Sequence, residues 1–180
     1  DVFARLVLRE HETRTAALVF TAPGMRTLLL QVRALVAVGL AWLLVLPAIG
    51  FCEPDDPRML ATVDRIERTL VVDGLLHRYR AETGVDGLAG TEHPFLACSF
   101  WLVEQYARTG RLDDAEALLD RLCGVANDLG LLSEEYDVHR HRQAGNMPQA
   151  FSHLALVRAA DALAAARARG AAGDHGHETS

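Results

Sequence analysis

At 180 residues and 19.6 kDa the chain is long enough for one domain with a real core, and with half its residues hydrophobic it folds rather than staying disordered. A net charge of -6 and a pI near 5.7, with no basic stripe interleaved with aromatics, exclude nucleic acid as an expected partner. All 18 basic residues are arginine and isoleucine occurs only at 49 and 66, a usage that points to a GC-rich bacterial coding sequence.

The chain opens on Asp1 rather than Met, and residues 1–33 keep neither a helical nor a strand period. We expect that segment to stand apart from the domain, as the trace of a fragment or an aberrant start. Ala34 to Cys52 then contains no charged residue. Its length is close to the roughly 20 apolar residues that a membrane span needs, yet a buried helix reads the same way, and Pro47 and Gly50 favour the second. No charged amino-terminal region leads into a small-residue cleavage site, so no secretory signal is expected. The three cysteines, Cys52, Cys98 and Cys123, lie far apart in apolar runs and read as small buried hydrophobes in a reducing, cytoplasmic compartment.

Asp56 followed by Pro57 predicts a capped helix whose inner face carries Leu60, Val63, Ile66 and Leu70. Asp73-Gly74 stops it. Leu75 to Thr91 is rich in glycine and contains His77-Arg78-Tyr79-Arg80, where two guanidinium groups bracket a tyrosine. Such a string suits recognition of sugar hydroxyls or a carboxylate, and equally an exposed arginine pair making weak surface contacts. From Pro94, the run Phe95 to Val103 is apolar all round and predicts a helix buried on every side, ended by Thr109-Gly110. Asp113 and Asp114 start another, with a stripe at Ala115, Leu118, Leu119, Leu122, Val125, Ala126 and Leu129 that Gly130 closes. A last helix begins at Pro148 and carries Phe151, Leu154, Val157 and Leu163 inward. From about Ala164 to Ser180 the chain reads as a flexible tail.

Between the last two helices lies Leu131-Leu132-Ser133-Glu134-Glu135-Tyr136-Asp137, three carboxylates within four residues. Alone it reads as a solvated acidic turn or as carboxylates held at the mouth of a scaffold to move protons. All-round apolar helices that alternate with one-faced ones suit two concentric rings of antiparallel helices. Gly110 to Leu119 resembles half of a tetratricopeptide unit, but no second copy follows at about 34 residues. His139 with His141, and His175 with His177, lack a third ligand at a zinc-binding spacing, so neither metal nor cofactor is implied. Ser99, Ser133 and Ser152 have no nucleophile-elbow context.

Five blocks, "GFCEPDDPRMLATVDRIER", "DGLLHRYR", "EHPFLACSFWLVEQYARTGRLDDAEALLDRL", "NDLGLLSEEYD" and "QAGNMPQAFSHLALV", resemble in order and spacing the carboxy-terminal part of the family 15 glycoside hydrolases. The family includes glucoamylases and actinobacterial trehalases. The resemblance runs from about Leu43 to Ala164 and implies an all-α fold, a partial (α/α)6 toroid over residues 34–163. It implies that Glu134 is the general base of an inverting hydrolysis of an α-glucoside, that Arg78 holds substrate hydroxyls, and that Phe95 and Glu92 line the cleft. Glu135 would be a structural neighbour, Tyr136 a positioning group and Asp137 a turn or capping residue. Inversion needs a second, protonated carboxyl roughly 6.5–9.5 Å from the base. The family's acid usually sits in a Trp-Glu pair, and neither Trp42 nor Trp101 precedes a Glu. The chain alone is therefore expected to be inactive, with apolar helices that await the missing half of the toroid or self-associate. The competing reading is a helical scaffold, membrane-tethered through 34–52.

Overall fold

The computed structural model describes residues 40–79 and 92–174, with side chains to residue 171. Over that range the chain is predominantly helical, with two small antiparallel hairpins. Residues 1–33, 34–39, Arg80, His175 and His177 lie outside the described residues.

Two short 3-10 helices, Ala41–Val45 and Pro47–Ile49, lead in. The apolar run is thus broken at Pro47, and among the described residues no helix is long and apolar enough to cross a membrane. Helix α1, Pro57–Leu70, starts as expected: the Asp56 carboxylate accepts from the Arg58 amide and Pro57 occupies the first turn. Its buried stripe is Met59, Val63, Ile66 and Leu70, while Leu60 is 42% exposed. Three of the four expected positions thus face inward, and only in the first turn does Met59 take the place of Leu60. Strands β1, Val71–Val72, and β2, Leu75–Leu76, follow as a hairpin where a loop was expected. Asp73 and Gly74 both have positive φ, the two-residue turn for which Asp-Gly is suited.

Helix α2, Leu96–Arg108, is the centre of the molecule. Every residue from Leu96 to Ala107 is buried, as an all-round apolar sequence demands. It packs chiefly against helix α4, Ala150–Asp174, and helix α3, Leu112–Cys123. Polar ties cross the same contacts. Tyr106 donates to Glu67 at 2.5 Å, Gln105 to the Pro54 carbonyl at 2.9 Å, and Arg158 pairs with Glu104 at 3.1 Å.

Three expectations change here. Helix α3 ends at Cys123 rather than Gly130, because the Asn127 carboxamide accepts from the amides of Leu129 and Leu131 and turns the chain; Leu129 is left exposed. Helix α4 buries Ser152, Ala155, Ala159, Leu163 and Ala166, leaving Leu154 and Val157 outside, and it runs on through the alanine-rich stretch to Asp174. The face that α4 buries is thus mostly of small residues, and at its start Phe151 packs edge-on against Trp101 of α2, 5.5 Å between ring centres. Of the cysteines, Cys98 is buried, Cys52 half-buried and Cys123 exposed; all three are free thiols. Trp42 lies 4.9 Å from Trp101 and 6.0 Å from Phe151, ring centre to ring centre, at the edge of the core.

Candidate active site

The acidic segment is fastened at both ends before any side chain is considered. Strands β3, Glu135–Asp137, and β4, Arg142–Ala144, form a hairpin, and Phe95 bridges to Glu135. The Leu96 amide, one of the donors that a helix start leaves unpaired, gives its hydrogen to the Glu134 carbonyl at 3.0 Å. The Tyr136 amide donates to Pro94 at 3.1 Å, and the Phe95 amide to Leu76 at 2.9 Å. The acidic hairpin, the β1–β2 hairpin and the start of α2 therefore meet in one place. The serines serve this framework: Ser99 accepts from the Leu76 amide, Ser152 donates to the Ser133 carbonyl, and Ser133 donates to the Glu135 carbonyl.

At that junction three carboxylates converge on one guanidinium. The Nη2 of Arg78 lies 2.5 Å from Glu92 Oε1 and 3.1 Å from Glu135 Oε1, and its Nη1 lies 3.7 Å from Glu134 Oε1. Phe95 presents its ring to the guanidinium carbon at 5.1 Å and Tyr79 at 5.4 Å, within range of a cation–π attraction. Tyr79 also donates its hydroxyl to Glu92. Side-chain exposures of 20% for Glu134, 12% for Glu135 and 0% for Asp137 rule out a solvated acidic turn.

Within the cluster the carboxylates differ. Burial drives Glu135 up to about 7, reinforced by its hydrogen bond to Glu92 and by that neighbour's charge. Burial also works against charge on Glu92, but the Tyr79 hydroxyl and the Arg78 guanidinium outweigh it and hold Glu92 below the usual range. Arg78 behaves likewise: desolvation disfavours its charge, and Glu92 and Glu135 more than restore it. Glu134 is oriented by Asn146, whose side-chain Nδ2 donates to Oε2 at 2.8 Å and whose amide does so at 3.2 Å. That leaves Oε1 facing Arg78.

Of the residues singled out in the sequence, Arg78, Glu92, Phe95, Glu134 and Glu135 come together. Tyr136, on the face of β3 opposite Glu135, packs half-buried against the hydrophobic core. Asp137 is a turn residue, accepting from the amides of His139 and Arg140 and pairing with the Arg140 guanidinium at 3.1 Å. Burial would raise it, but the Arg140 amide and guanidinium prevail and hold it at about 2. His139 and His141 are exposed on this turn, and among the described residues no group of three or more His, Cys, Asp or Glu is arranged to hold a metal ion.

Sequence reasoning singled out Tyr79 only within the His77–Arg80 string and missed Asn146 and Gly145 as parts of the site. Gly145 has φ +73, and a Cβ there would come within 3.0 Å of both Cβ and Oε2 of Glu134. Gly145→Ala is thus expected to lower stability by roughly 1–2 kcal/mol from the left-handed backbone alone, and to displace the Glu134 carboxylate. Chemical denaturation measures the first effect and a crystal structure of the variant the second.

The family described as "Glycosyl hydrolases family 15" matches residues 39–161. The chain is 46% identical over 119 residues to the trehalase of Mycolicibacterium smegmatis, covering 66% of this chain and 18% of that protein. It is 45% identical over 124 residues to the trehalase of Thermoplasma acidophilum, covering 68% and 21%, and 39% identical over 115 residues to trehalase 1 of Sulfolobus acidocaldarius, covering 64% and 20%. The chain spans about a fifth of the length of these curated relatives. They include archaeal as well as bacterial proteins, so arginine-rich composition alone does not assign the chain to a bacterium. No solved structure matches.

Proposed function

The chain belongs to family 15 of the glycosyl hydrolases, and from that premise we propose that Glu134 is the general base of an inverting hydrolysis of an α-glucosidic disaccharide, trehalose, with Arg78 holding the sugar hydroxyls beside it. The observation that supports this reading is the approach of Glu134 to Arg78 and Phe95. The motif fixes only sequence positions, and the hairpin would equally allow these side chains to lie on opposite sides of the bundle. Instead Glu134 Oε1 and Arg78 Nη1 are 3.7 Å apart, beside an aromatic ring on which a sugar face can stack.

A general base must meet its water with an ionised oxygen in a fixed direction. Asn146 fixes one oxygen of Glu134 by two donors, and a carboxylate, which only accepts, suits both. The other oxygen is then available to take a proton from water as it attacks the anomeric carbon. Arg78, charged and forked, offers donors that match adjacent hydroxyls of the same sugar. Glu92 sits behind Arg78 and orients it rather than meeting the sugar directly.

In this proposal residues 34–163 contribute part of an (α/α)6 toroid, residues 1–33 stand outside it, and the reaction takes place in the cytoplasm. The chain contributes the base. Protonation of the leaving oxygen falls to a carboxyl elsewhere in the toroid, since the sequence contains no Trp-Glu pair. The apolar side chains left outside, Trp42, Phe51, Leu154 and Val157, supply a face for the remaining helices of the toroid or, without them, for self-association. A glucoamylase acting on α-1,4-glucans is the related alternative; the trehalase names of the similar proteins favour the disaccharide.

The direct test uses the purified full chain. We expect titration calorimetry to detect trehalose binding that weakens by about tenfold or more in Arg78→Ala, the loss of one charged hydrogen bond. A glucose-release assay is expected to show hydrolysis far below that of a complete trehalase, because general-acid assistance worth about 10²–10⁴-fold is missing. Absence of binding would overturn the role of Arg78. Rapid turnover abolished by Glu134→Gln would mean that an acid operates within these 180 residues.

A further inference from the structure

Glu92 Oε1 and Glu135 Oε1 lie against the same nitrogen, Arg78 Nη2, at 2.5 and 3.1 Å, and two neighbouring carboxylates hydrogen-bond each other only when one carries a proton. A second, geometric observation points the same way. Glu92 Oε1 takes both the Tyr79 hydroxyl and Arg78 Nη2, whereas Oε2 is buried and has no hydrogen-bond partner among the described residues. A buried oxygen without a donor is costly, and a proton held within this carboxylate cluster lowers that cost. Three carboxylates around one guanidinium leave an excess of negative charge that a shared proton reduces. We propose that Glu92 and Glu135 share one proton and act as a paired positioning group, which holds the Arg78 fork toward Glu134 and makes sugar binding at Arg78 depend on pH.

The groups facing this pair are Arg78 and Tyr79 from the segment after β2, Glu134 beside Glu135, His93 beside Glu92, and His77 at the end of β2. Arg78 and the His93 amide favour the charged form of Glu135; its burial and Glu92 oppose it and prevail. A carboxyl raised in this way keeps its proton at mildly acidic pH and loses it as the pH rises through neutrality. Above that point Glu92 and Glu135 repel within contact distance, one must swing away, and Arg78 loses one of its two anchors.

The sugar-binding consequence rests on the trehalase reading; the shared proton does not. Carbon-13 NMR of the glutamate-labelled full chain is expected to show Glu135 titrating near neutrality, and to return it to the ordinary carboxylate range in Glu92→Gln with an unchanged circular dichroism spectrum. An ordinary Glu135 titration in the wild-type chain would overturn the shared proton. Trehalose affinity by calorimetry is expected to fall by about tenfold from mildly acidic to mildly alkaline pH, the loss of one charged hydrogen bond. Glu135→Gln, whose amide donates to Glu92 at any pH, should retain the acidic-side affinity and flatten the profile, whereas Glu135→Ala should bind weakly throughout. A Glu135→Gln profile that overlays the wild type would overturn the positioning role. Normal Glu135 behaviour by NMR together with trehalose bound by no variant would sink both; a neutral titration without any trehalose binding would sink the sugar reading while leaving the shared proton established.

Discussion

Transplanted into the Mycolicibacterium smegmatis trehalase in place of its aligned segment, residues 39–161 are expected to support trehalose hydrolysis, and Glu134→Gln to lower kcat of that chimera by about 10²–10⁴-fold. The transplant supplies the surroundings that the chain alone does not. Gln keeps the length of Glu and an oxygen able to accept from Asn146, so the hairpin and its ties to α2 should persist. It cannot take a proton. KM is therefore expected to move little while kcat and kcat/KM fall together, the pattern of an interaction made chiefly in the transition state. The size of the fall separates the carboxylates. Glu135 is engaged with Arg78, and Glu92 with Tyr79 and Arg78, so neither is placed to receive a proton from water without first giving up these bonds. If Glu134→Gln retained half of the parent rate, the base would have to be sought among those two and the role of Glu134 would fall.

The sequence located the helix starts better than their faces. Asp56-Pro57 marks the start of α1 because a side-chain acceptor and a residue without an N–H are both useful there, and no tertiary contact is needed to see it. The buried α2 was equally legible, since no polar face was offered. Helix α4 was not: both of its sides are apolar, and choosing the larger residues, Leu154 and Val157, put the wrong side inward. What decides is the packing against α2, the helix that α4 chiefly contacts, where the small Ala155 and Ala159 are buried and allow close approach. The end of α3 failed for a local reason. An apolar stripe continued to Leu129, but Asn127 offered the backbone an alternative set of hydrogen bonds and the helix stopped first.

The site divides in the same way. Glu134, Glu135, Arg78, Glu92 and Phe95 could be named through the family's motifs, yet their convergence depends on contacts between residues distant in the chain. The bridge from Phe95 to Glu135 brings the acidic hairpin beside the start of α2, and the Phe95 amide bond to Leu76 brings Arg78 to the same corner. Residue type alone does not distinguish Glu134, turned to Asn146, from Glu135, turned to Arg78; only the resemblance to the family's motif separates them. Strand alternation does turn Tyr136 to the face opposite Glu135, and that alternation was available only once the segment was known to be a strand rather than a loop.

Phe100→Ala is expected to have the largest effect on stability, a loss of about 3–5 kcal/mol read by chemical denaturation of the full chain. Phe100 is 0% exposed and lies midway along α2, which is buried on every side, so the void would open between α2 and its neighbours with no solvent-facing side chain able to swing in. The polar ties on the same helix should matter less. The Glu104 carboxylate is buried, but its partners Arg108 and Arg158 are 36% and 37% exposed, and a guanidinium that loses its partner there can turn to water. A loss of about 3–5 kcal/mol would consume much of the roughly 5–15 kcal/mol that separates a typical domain from its unfolded state. The active-site geometry would fail with it, because the Leu96 amide that secures Glu134 and the Ser99 hydroxyl that secures Leu76 both belong to this helix. A Phe100→Ala chain that melted with the wild type would show that α2 is not the element on which the carboxylate cluster is built.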